Sequence, residues 1–234
     1  MGLVFQISTN HPGGLPNFVA PPIAGGCIGY FEFGASEATS LKNLYNPALP
    51  LAKVGNPIFS AAGVQVDPDD YLIGPADSAT FTRILVAQAV SPVNGPPTGS
   101  HYYVGNFVSG SGGAALYNAA SAGAWRLFGV GSAETPNVAE GAIENLTVMS
   151  HRMGASAQQV VNHTRSLSQS RSISAYTPPS PARAVRFGLA GGTGAVRILR
   201  ALLYNVALSD PDLTTAANWL RDRALLVPGT VLGP

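Results

Sequence analysis

Acidic side chains are the first candidates for chemistry in this sequence. Asp67, Asp69 and Asp70 form one cluster, and Glu140 and Glu144 stand apart from it. Glycoside hydrolysis requires two carboxyl groups that flank one glycosidic bond, and calcium requires several oxygen ligands at one place. The aspartate cluster contains a proline and has the composition of a turn. We therefore expect a turn there, with a calcium site as the alternative.

The histidines and the single cysteine form no motif of a metal site or a nucleophile. The histidines lie far apart, at His11, His101, His151 and His163, and no pair has the spacing of a zinc site. Cys27 precedes an apolar run without a neighbouring His or Lys, which predicts a buried, unreactive thiol. A Ser-His-Asp triad stays open because its members can be distant in sequence, but the Gly-x-Ser-x-Gly and Gly-Lys-Ser/Thr signatures are absent. We expect no catalytic, cofactor-binding or metal-binding residues, and a protein that is not an enzyme.

Aromatic residues offer a further site, a surface that binds sugars. Tyr102, Tyr103, Tyr117 and Trp125 fall in or near predicted strands, and aromatic faces stack on sugar rings. Aromatic residues in strands more often fill a core because they bury large apolar areas. The sequence therefore leaves open whether any two of these four residues form a carbohydrate site.

The low charge content excludes a nucleic-acid partner. Only 11% of the 234 residues are charged and the formal net charge is +1, whereas about 25% of residues in a typical soluble domain are charged. Nucleic-acid binding usually needs a basic stripe. We expect the arginines of the last third to be scattered over the surface: Arg165, Arg171, Arg183, Arg186, Arg197 and Arg200. Part of such a weakly charged surface is expected to be covered by another subunit.

Residues 1–26 are predicted to form an extended N-terminal arm, and residues 27–234 a single domain. The arm is rich in proline and glycine, which exclude a helix or a central strand, yet it carries apolar residues that a free tail would expose. The first residues lack the basic stretch and long apolar run of a secretion signal, so we expect none, and no stretch reaches the about 18 apolar residues of a membrane span. We expect synthesis in a cytoplasm, no membrane contact, and a homo-oligomer that assembles through the arm.

The remaining sequence predicts an all-β fold. Short apolar runs separated by turn signals are typical of a sandwich or barrel. The clearest strands are predicted over residues 81–90, 144–152 and 196–205. Residues 159–165 and 173–177 are predicted as strands around a polar, serine-rich connection.

One substantial helix is predicted near the C-terminus. Ser209 is its expected N-cap, with Asp212 three residues later as a weaker form of the capping box. An apolar stripe repeats at helical spacing and consists of Leu213, Ala217, Leu220 and Ala224. Pro228 follows and ends the helix.

The segment from Val196 to Asp210 resembles the closing strand of concanavalin A-like lectin/glucanase domains of the laminin-G-like type. The matching pieces are Leu203-Tyr204-Asn205, Ala207-Leu208-Ser209-Asp210 and the helix through Trp219. Strands predicted in residues 54–66 and 81–89 agree with the family in order, so the resemblance covers roughly residues 28–227. It implies a two-sheet antiparallel jelly-roll sandwich with one C-terminal helix.

The resemblance also implies a function, because such domains are common in bacteriophage virion proteins. It implies a non-enzymatic structural or interaction component of a virion (tail, baseplate or capsid-associated), located in the virion and in contact with other virion proteins and with itself. One alternative is a carbohydrate-binding adhesin that recognises host surface glycans. A second alternative is a glycan hydrolase, although the Glu-x-Asp-x-Glu run that the family's glucanases carry on one strand is absent here.

Overall fold

The computed structural model describes residues 20–90, 99–108, 112–121, 124–131, 135–139, 142–174, 176–179, 183–188 and 193–233. Most of the predicted N-terminal arm, His11 and Glu140 lie outside these residues. The division into an arm and a domain therefore stays a prediction.

Fifteen strands and two helices make up the described part of the chain. In chain order they are β1 (Cys27–Glu32), α1 (Glu37–Ser40), β2 (Ala52–Val54), β3 (Ile58–Ser60), β4 (Gly63–Val66), β5 (Tyr71–Ala76), β6 (Phe81–Ala89), β7 (His101–Gly105), β8 (Ala115–Ser121), β9 (Ala124–Val130), β10 (Asn137–Ala139), β11 (Thr147–Met153), β12 (Ala157–Asn162), β13 (Leu167–Ser172), β14 (Ala184–Phe187), β15 (Val196–Tyr204) and α2 (Asp210–Leu225).

The strands form two antiparallel sheets. Sheet A has eight strands in the order β13-β12-β11-β6-β15-β4-β3, with β1 paired to β15 beside β4. Sheet B has seven strands in the order β10-β9-β8-β7-β14-β5-β2. The predicted all-β sandwich of two antiparallel sheets with one C-terminal helix is confirmed.

The main core lies between the two sheets. Phe31 and Leu85 of sheet A pack in one buried cluster with Leu72, Leu116 and Phe187 of sheet B. Burial of this apolar area stabilises the sandwich by roughly 25 cal/mol per Å². The core thus fixes which face of each strand points inward.

A second apolar layer covers the outer face of sheet A. Helix α2 packs there through the predicted stripe, which is buried together with Ile84, Val86 and Val148. Strand β6 therefore has both faces covered, with Leu85 in the inner core and Ile84 under the helix. This double burial explains why residues 84–87 in the middle of β6 are all apolar rather than alternating with polar residues.

The start of α2 is capped as the sequence predicts. The hydroxyl of Ser209 accepts from the Asp212 backbone N–H at 3.3 Å and donates to the Asp212 carboxylate at 2.7 Å. The cap satisfies one of the backbone donors that a helix start leaves free.

Among the described residues, no helix has the length and apolar character needed to span a bilayer.

Two predictions about polar segments are wrong. The serine-rich connection is strand β13, which pairs with β12 from Ala157↔Ser172 to Asn162↔Leu167. Of the predicted strand over residues 173–177, the described residues 173, 174, 176 and 177 are not in a strand. Strand β13 lies at the edge of sheet A with nearly all its side chains exposed. Its sequence shows no apolar alternation because it has no buried face, and the backbone pairing alone defines it.

The prediction that all six arginines of the last third lie on the surface fails at Arg200. This side chain is buried, whereas Arg165 and Arg171 are exposed. Arg200 lies directly opposite Glu32 in the β1–β15 pair. The carboxylate partner offsets part of the cost of burying the guanidinium.

Candidate functional site

Four stacked aromatic rings cross sheet B. The rings of Tyr102 and Tyr117 lie 4.7 Å apart between centroids, with an interplanar angle of 13°. Phe128 stacks on the other side of Tyr117 at 5.2 Å, and Phe107 on the other side of Tyr102 at 6.4 Å. We call these four side chains the aromatic row. All four are half-buried, so each keeps part of its surface in contact with solvent.

Strand register builds the aromatic row. Tyr102 pairs with Tyr117 across β7 and β8, and Tyr117 pairs with Phe128 across β8 and β9. Directly opposed side chains on one face are about 5 Å apart, which is the spacing observed. The register shifts between Tyr102 and Val104. Through this bulge Tyr103 and Val104 both enter the inner core while Tyr102 points outward.

The tyrosine hydroxyls of the aromatic row are neutral hydrogen-bonding groups. Burial raises the pKa of Tyr102, and burial followed by the nearby Tyr102 raises the pKa of Tyr117. Within the described residues neither hydroxyl takes part in a hydrogen bond. Each can therefore donate to or accept from a ligand at any pH near neutrality.

Planar polar groups stand at the β10 end of the row. Arg126 Nη1 donates to Asn137 Oδ1 at 2.9 Å, and Asn137 lies directly opposite Phe128 in the β9–β10 pair. The backbone N–H of Asn137 donates to Gln169 Oε1 at 2.7 Å, which ties this edge of sheet B to β13 of sheet A. Aromatic surface, a guanidinium and an amide thus lie side by side.

Helix α2 covers sheet A, whereas no helix of the described residues packs on the aromatic row. The contacts of α2 are with β6, β11 and β15, all of sheet A. The row therefore lies on the face of sheet B that no described helix covers. A contiguous apolar patch left on an open face is typical of a binding surface.

Two of the four aromatic residues named from the sequence belong to this site. Tyr103 is fully buried, and its hydroxyl accepts from Asn118 Nδ2 at 2.6 Å. Trp125 lies opposite Ala120 and makes an edge contact with His101 at 5.7 Å, away from the row. Sequence reasoning missed Phe107 and Phe128. Only the strand register places Phe128 beside Tyr117, and Phe107 reaches Tyr102 from outside any strand, after β7.

The aspartate cluster is a turn, as predicted. Asp67 Oδ1 accepts from the backbone N–H groups of Asp69 and Asp70 at 2.9 and 2.8 Å. Asp70 Oδ1 accepts from the Asn56 N–H at 2.7 Å. Glu144 is exposed. In the described part of the chain, no group of three or more His, Cys, Asp or Glu side chains has an arrangement that could hold a metal ion.

A buried polar cluster closes one end of the sandwich. Arg83 Nη2 and Asp77 Oδ1 form an ion pair at 2.7 Å with both side chains almost fully buried. Asn106 Nδ2 and the Tyr176 hydroxyl each donate to Asp77 Oδ2 at 2.9 Å. The guanidinium of Arg83 also stacks over Phe81 at 3.9 Å. Its burial gives a substrate no access, so the cluster is structural.

One Ser–His pair forms beneath α2. Ser150 Oγ lies 2.9 Å from His163 Nε2, and Ser150 is fully buried. Burial, and then the charge of Arg221, lower the pKa of His163 to about 4. Among the described residues no carboxylate bonds to His163, so the pair lacks the third member of a triad.

Cys27 is a buried small hydrophobe, as predicted. It packs with Tyr30 and Tyr204 in the layer beneath α2. Burial raises the pKa of its thiol to about 12, partly opposed by a backbone hydrogen bond at Gly29. The thiol is therefore protonated and unreactive at neutral pH.

Comparisons with known proteins identify the fold as a lectin-like β-sandwich. No protein-family model matches the sequence, and a comparison with curated proteins finds no match. The solved structures similar to this chain include the binding domain of botulinum neurotoxin serotype D, with a TM-score of 0.59, 10% identity, and coverage of 83% of this chain and 52% of that one. Another is Trypanosoma rangeli sialidase in complex with sialic acid, with a TM-score of 0.61, 15% identity, and coverage of 88% of this chain and 34% of that one.

The chain therefore spans about half of the neurotoxin structure and about a third of the sialidase structure. At these identities the likeness establishes the fold alone, because one fold supports many unrelated functions. What the chain does must be argued from its own surface.

Proposed function

We propose that this chain is a non-enzymatic module that binds carbohydrate on the open face of sheet B. The observation that carries the proposal is the aromatic row, which leaves four half-buried rings on a face that no described helix covers. The lectin-like fold agrees with it: one similar structure is a receptor binding domain and another holds sialic acid.

The chemistry of the row suits the two surfaces of a sugar. The C–H groups of a pyranose ring pack on aromatic edges and on the outer face of Phe128, which removes apolar area from water. Sugar hydroxyls bond to the hydroxyls of Tyr102 and Tyr117 and to the Arg126–Asn137 pair. Since the row lies on a sheet face, it fits the side of an extended glycan better than a single terminal sugar.

The test is loss of glycan binding on interruption of the row. Tyr117→Ala removes the ring between Tyr102 and Phe128, and we expect a loss of at least about tenfold in affinity, because truncation of a central contact residue costs more than about 1–2 kcal/mol. A glycan array identifies the ligand, and calorimetry measures its affinity for each variant.

Tyr71→Ala is the matched control for this experiment. Tyr71 lies on β5 of the same sheet and stacks under Arg186 at 5.0 Å, without a ring contact to any of the four described rings of the row. We expect it to bind as the wild type does. Equal binding by Tyr117→Ala and the wild type, or no binding to any glycan of the array, contradicts the proposal.

The proposal includes the absence of hydrolysis. We expect no release of reducing sugar from any glycan that the protein binds, because the sequence offers no strand-borne carboxylate pair. Glycan cleavage that disappears in Glu144→Gln or Glu140→Gln would show that the protein is a hydrolase.

We further propose that the module is a component of a bacteriophage virion. One support is the resemblance of residues 196–210 to concanavalin A-like domains, which are common in virion proteins. The other is an exposed apolar surface after α2 that a partner could cover, where Leu226 and Val231 are 68% and 77% exposed. Labelled antibody on negatively stained particles is the test. Label on intact particles is expected, and its absence from particles that contain the gene contradicts the assignment.

A further inference from the structure

A cavity of about 320 Å³ opens beside the end of β1, on the opposite sheet from the aromatic row. Its walls come from distant parts of the chain: Phe33 after β1, Leu44 after α1, Ala61 in the β3–β4 turn, and Val227 after α2. Glu32 and Arg200 supply charged groups. The cavity thus combines apolar walls with a few convergent polar groups, the usual make-up of a small-molecule site.

One oxygen of Glu32 is fully used and the other is not. Oε1 accepts from Arg223 Nη2 at 2.8 Å and Nε at 3.3 Å, and from the hydroxyl of Tyr30. Arg200 Nε lies 3.5 Å from the same oxygen. Within the described residues Oε2 accepts no hydrogen bond, which leaves a fixed carboxylate oxygen for a donor from outside.

The guanidinium of Arg200 is held in place but not saturated. Only 7% of the residue is exposed. Nη1 donates to the carbonyls of Leu199 at 3.0 Å and Phe33 at 3.5 Å. Nε is buried without a hydrogen bond, and no described group accepts from Nη2. An arginine has five N–H donors and no acceptor, so donors remain for a ligand that carries oxygen atoms.

The charges around the cavity favour an anion. Arg200, Arg223 and Lys42 outnumber Glu32, and Lys42 lines the cavity without an ion pair among the described residues. A second cavity of about 350 Å³ shares Ala61 and Val227 with the first and adds Arg197, whose buried Nε also lacks a hydrogen bond. Guanidinium groups pair well with carboxylates because two parallel N–H···O bonds form at once.

We propose that this cavity binds a monosaccharide that carries a carboxylate. The carboxylate lies on the Arg200 guanidinium and the Lys42 ammonium, a sugar hydroxyl donates to Glu32 Oε2, and the C–H face of the ring packs on Phe33 and Leu44. The site is separate from the aromatic row and does not depend on it.

Titration with glucuronate, glucose and acetate tests the ligand class. We expect saturable chemical-shift changes with glucuronate at residues around the cavity. Glucose should bind at least about tenfold more weakly, because it lacks the carboxylate that pairs with the guanidinium. Glucose that binds as tightly as glucuronate overturns the role of the carboxylate, and acetate that binds as tightly overturns the role of the sugar.

A matched pair of variants in the β3–β4 turn tests whether glucuronate binds in the first cavity. Ala61 lines both cavities and Ala62 only the second, and both are exposed in the β3–β4 turn, where a larger side chain leaves the core intact. We expect Ala61→Phe to abolish glucuronate binding and Ala62→Phe to retain it.

The same titration tests the role of the Lys42 charge and whether the cavity binds independently of the aromatic row. Lys42→Gln, an exposed change, should weaken glucuronate binding several-fold and leave the unfolding midpoint unchanged. Tyr117→Ala should leave glucuronate binding unchanged, which separates this site from the proposed glycan surface. Equal binding by the wild type, Ala61→Phe and Lys42→Gln, or no binding by the wild type, overturns the proposal.

Discussion

At the scale of single residues, several of the few charged side chains are buried in ion pairs rather than exposed on the surface. Arg83, Arg200 and Glu32 are buried or half-buried, each with an opposite charge within 3.5 Å. Removing one member of a buried pair leaves the other charge without compensation, which costs more than the intact pair contributes. These residues therefore matter more for stability than for solubility.

Asp77→Ala tests this at the closed end of the sandwich. The change leaves Arg83 buried and unpaired and removes the acceptor of Asn106 and Tyr176, so we expect the free energy of unfolding to fall by about 3–5 kcal/mol. Urea denaturation measures it. Glu37→Gln is the control because it breaks only the exposed pair with Lys53 and should cost at most about 1 kcal/mol. Equal effects of the two changes would contradict the structural role of the cluster.

Two histidines with lowered pKa values, the buried His151 and the half-buried His163, make stability depend on pH. Burial, and then Arg83, lower the pKa of His151 to about 3, and burial lowers that of His163 to about 4. Unfolded histidine takes up a proton near pH 6.5, so below that pH the unfolded state binds more protons and stability falls. The free energy of unfolding is therefore free of this loss only well above pH 6.5, where the unfolded histidines are also neutral.

Between pH 6.5 and 5 each of these histidines should reduce the free energy of unfolding by about 2 kcal/mol. Histidine is the side chain whose ordinary pKa lies in this window. Urea denaturation at pH 7 and pH 5 measures the loss, and His163→Gln should reduce it by about half. A wild-type protein equally stable at both values contradicts the assignment.

At the scale of the elements, burial decides what the sequence reveals. Strand β6 is recognisable because both its faces are covered, and α2 because one stripe is buried beneath a capped start. Strand β13 is not recognisable in the sequence because nearly all its side chains are exposed, and its backbone hydrogen bonds to β12 define it.

The candidate sites follow the same rule. Tyr102 and Tyr117 are recognisable by residue type, but their stacking depends on a register that local sequence does not specify. The bulge that sends Tyr103 inward is equally invisible in the sequence. Glu32 and Arg200 meet only because β1 pairs with β15 across nearly the whole chain.

Ser209→Ala tests the contribution of the α2 cap. Loss of the hydroxyl frees the Asp212 backbone N–H, and we expect the free energy of unfolding to fall by about 1 kcal/mol. Thr215→Ala, at an exposed position of the same helix, is the control and should have no effect or stabilise slightly, because alanine has the higher helix propensity. Urea denaturation compares both with the wild type. A Ser209→Ala protein as stable as the wild type contradicts the importance of the cap.

At the scale of the whole molecule, the outer faces of the two sheets differ in how the described residues cover them. Helix α2 closes sheet A, sheet B keeps an open aromatic face, and the segment after α2 exposes Leu226 and Val231. With 11% charged residues, the chain has little charge to prevent association through this exposed apolar surface. This composition favours a subunit that works in contact with copies of itself.

The prediction for the assembly concerns residues 1–19. We propose that they form an assembly arm, because Leu3, Val4, Phe5 and Ile7 are apolar and bury area worth roughly 25 cal/mol per Å² against a neighbour. A deletion that ends at residue 19 keeps Gly26, whose carbonyl accepts from the Asn205 N–H at 2.9 Å. We expect a folded monomer with an unchanged unfolding midpoint and, by light scattering, the mass of one chain, where the full-length protein has the mass of an oligomer. If the arm instead folds back on its own sandwich, the deletion lowers the midpoint and leaves the mass per particle unchanged. A truncated protein that keeps the oligomeric mass and still incorporates into particles refutes the assembly arm, because nothing in residues 1–19 would then hold the copies together.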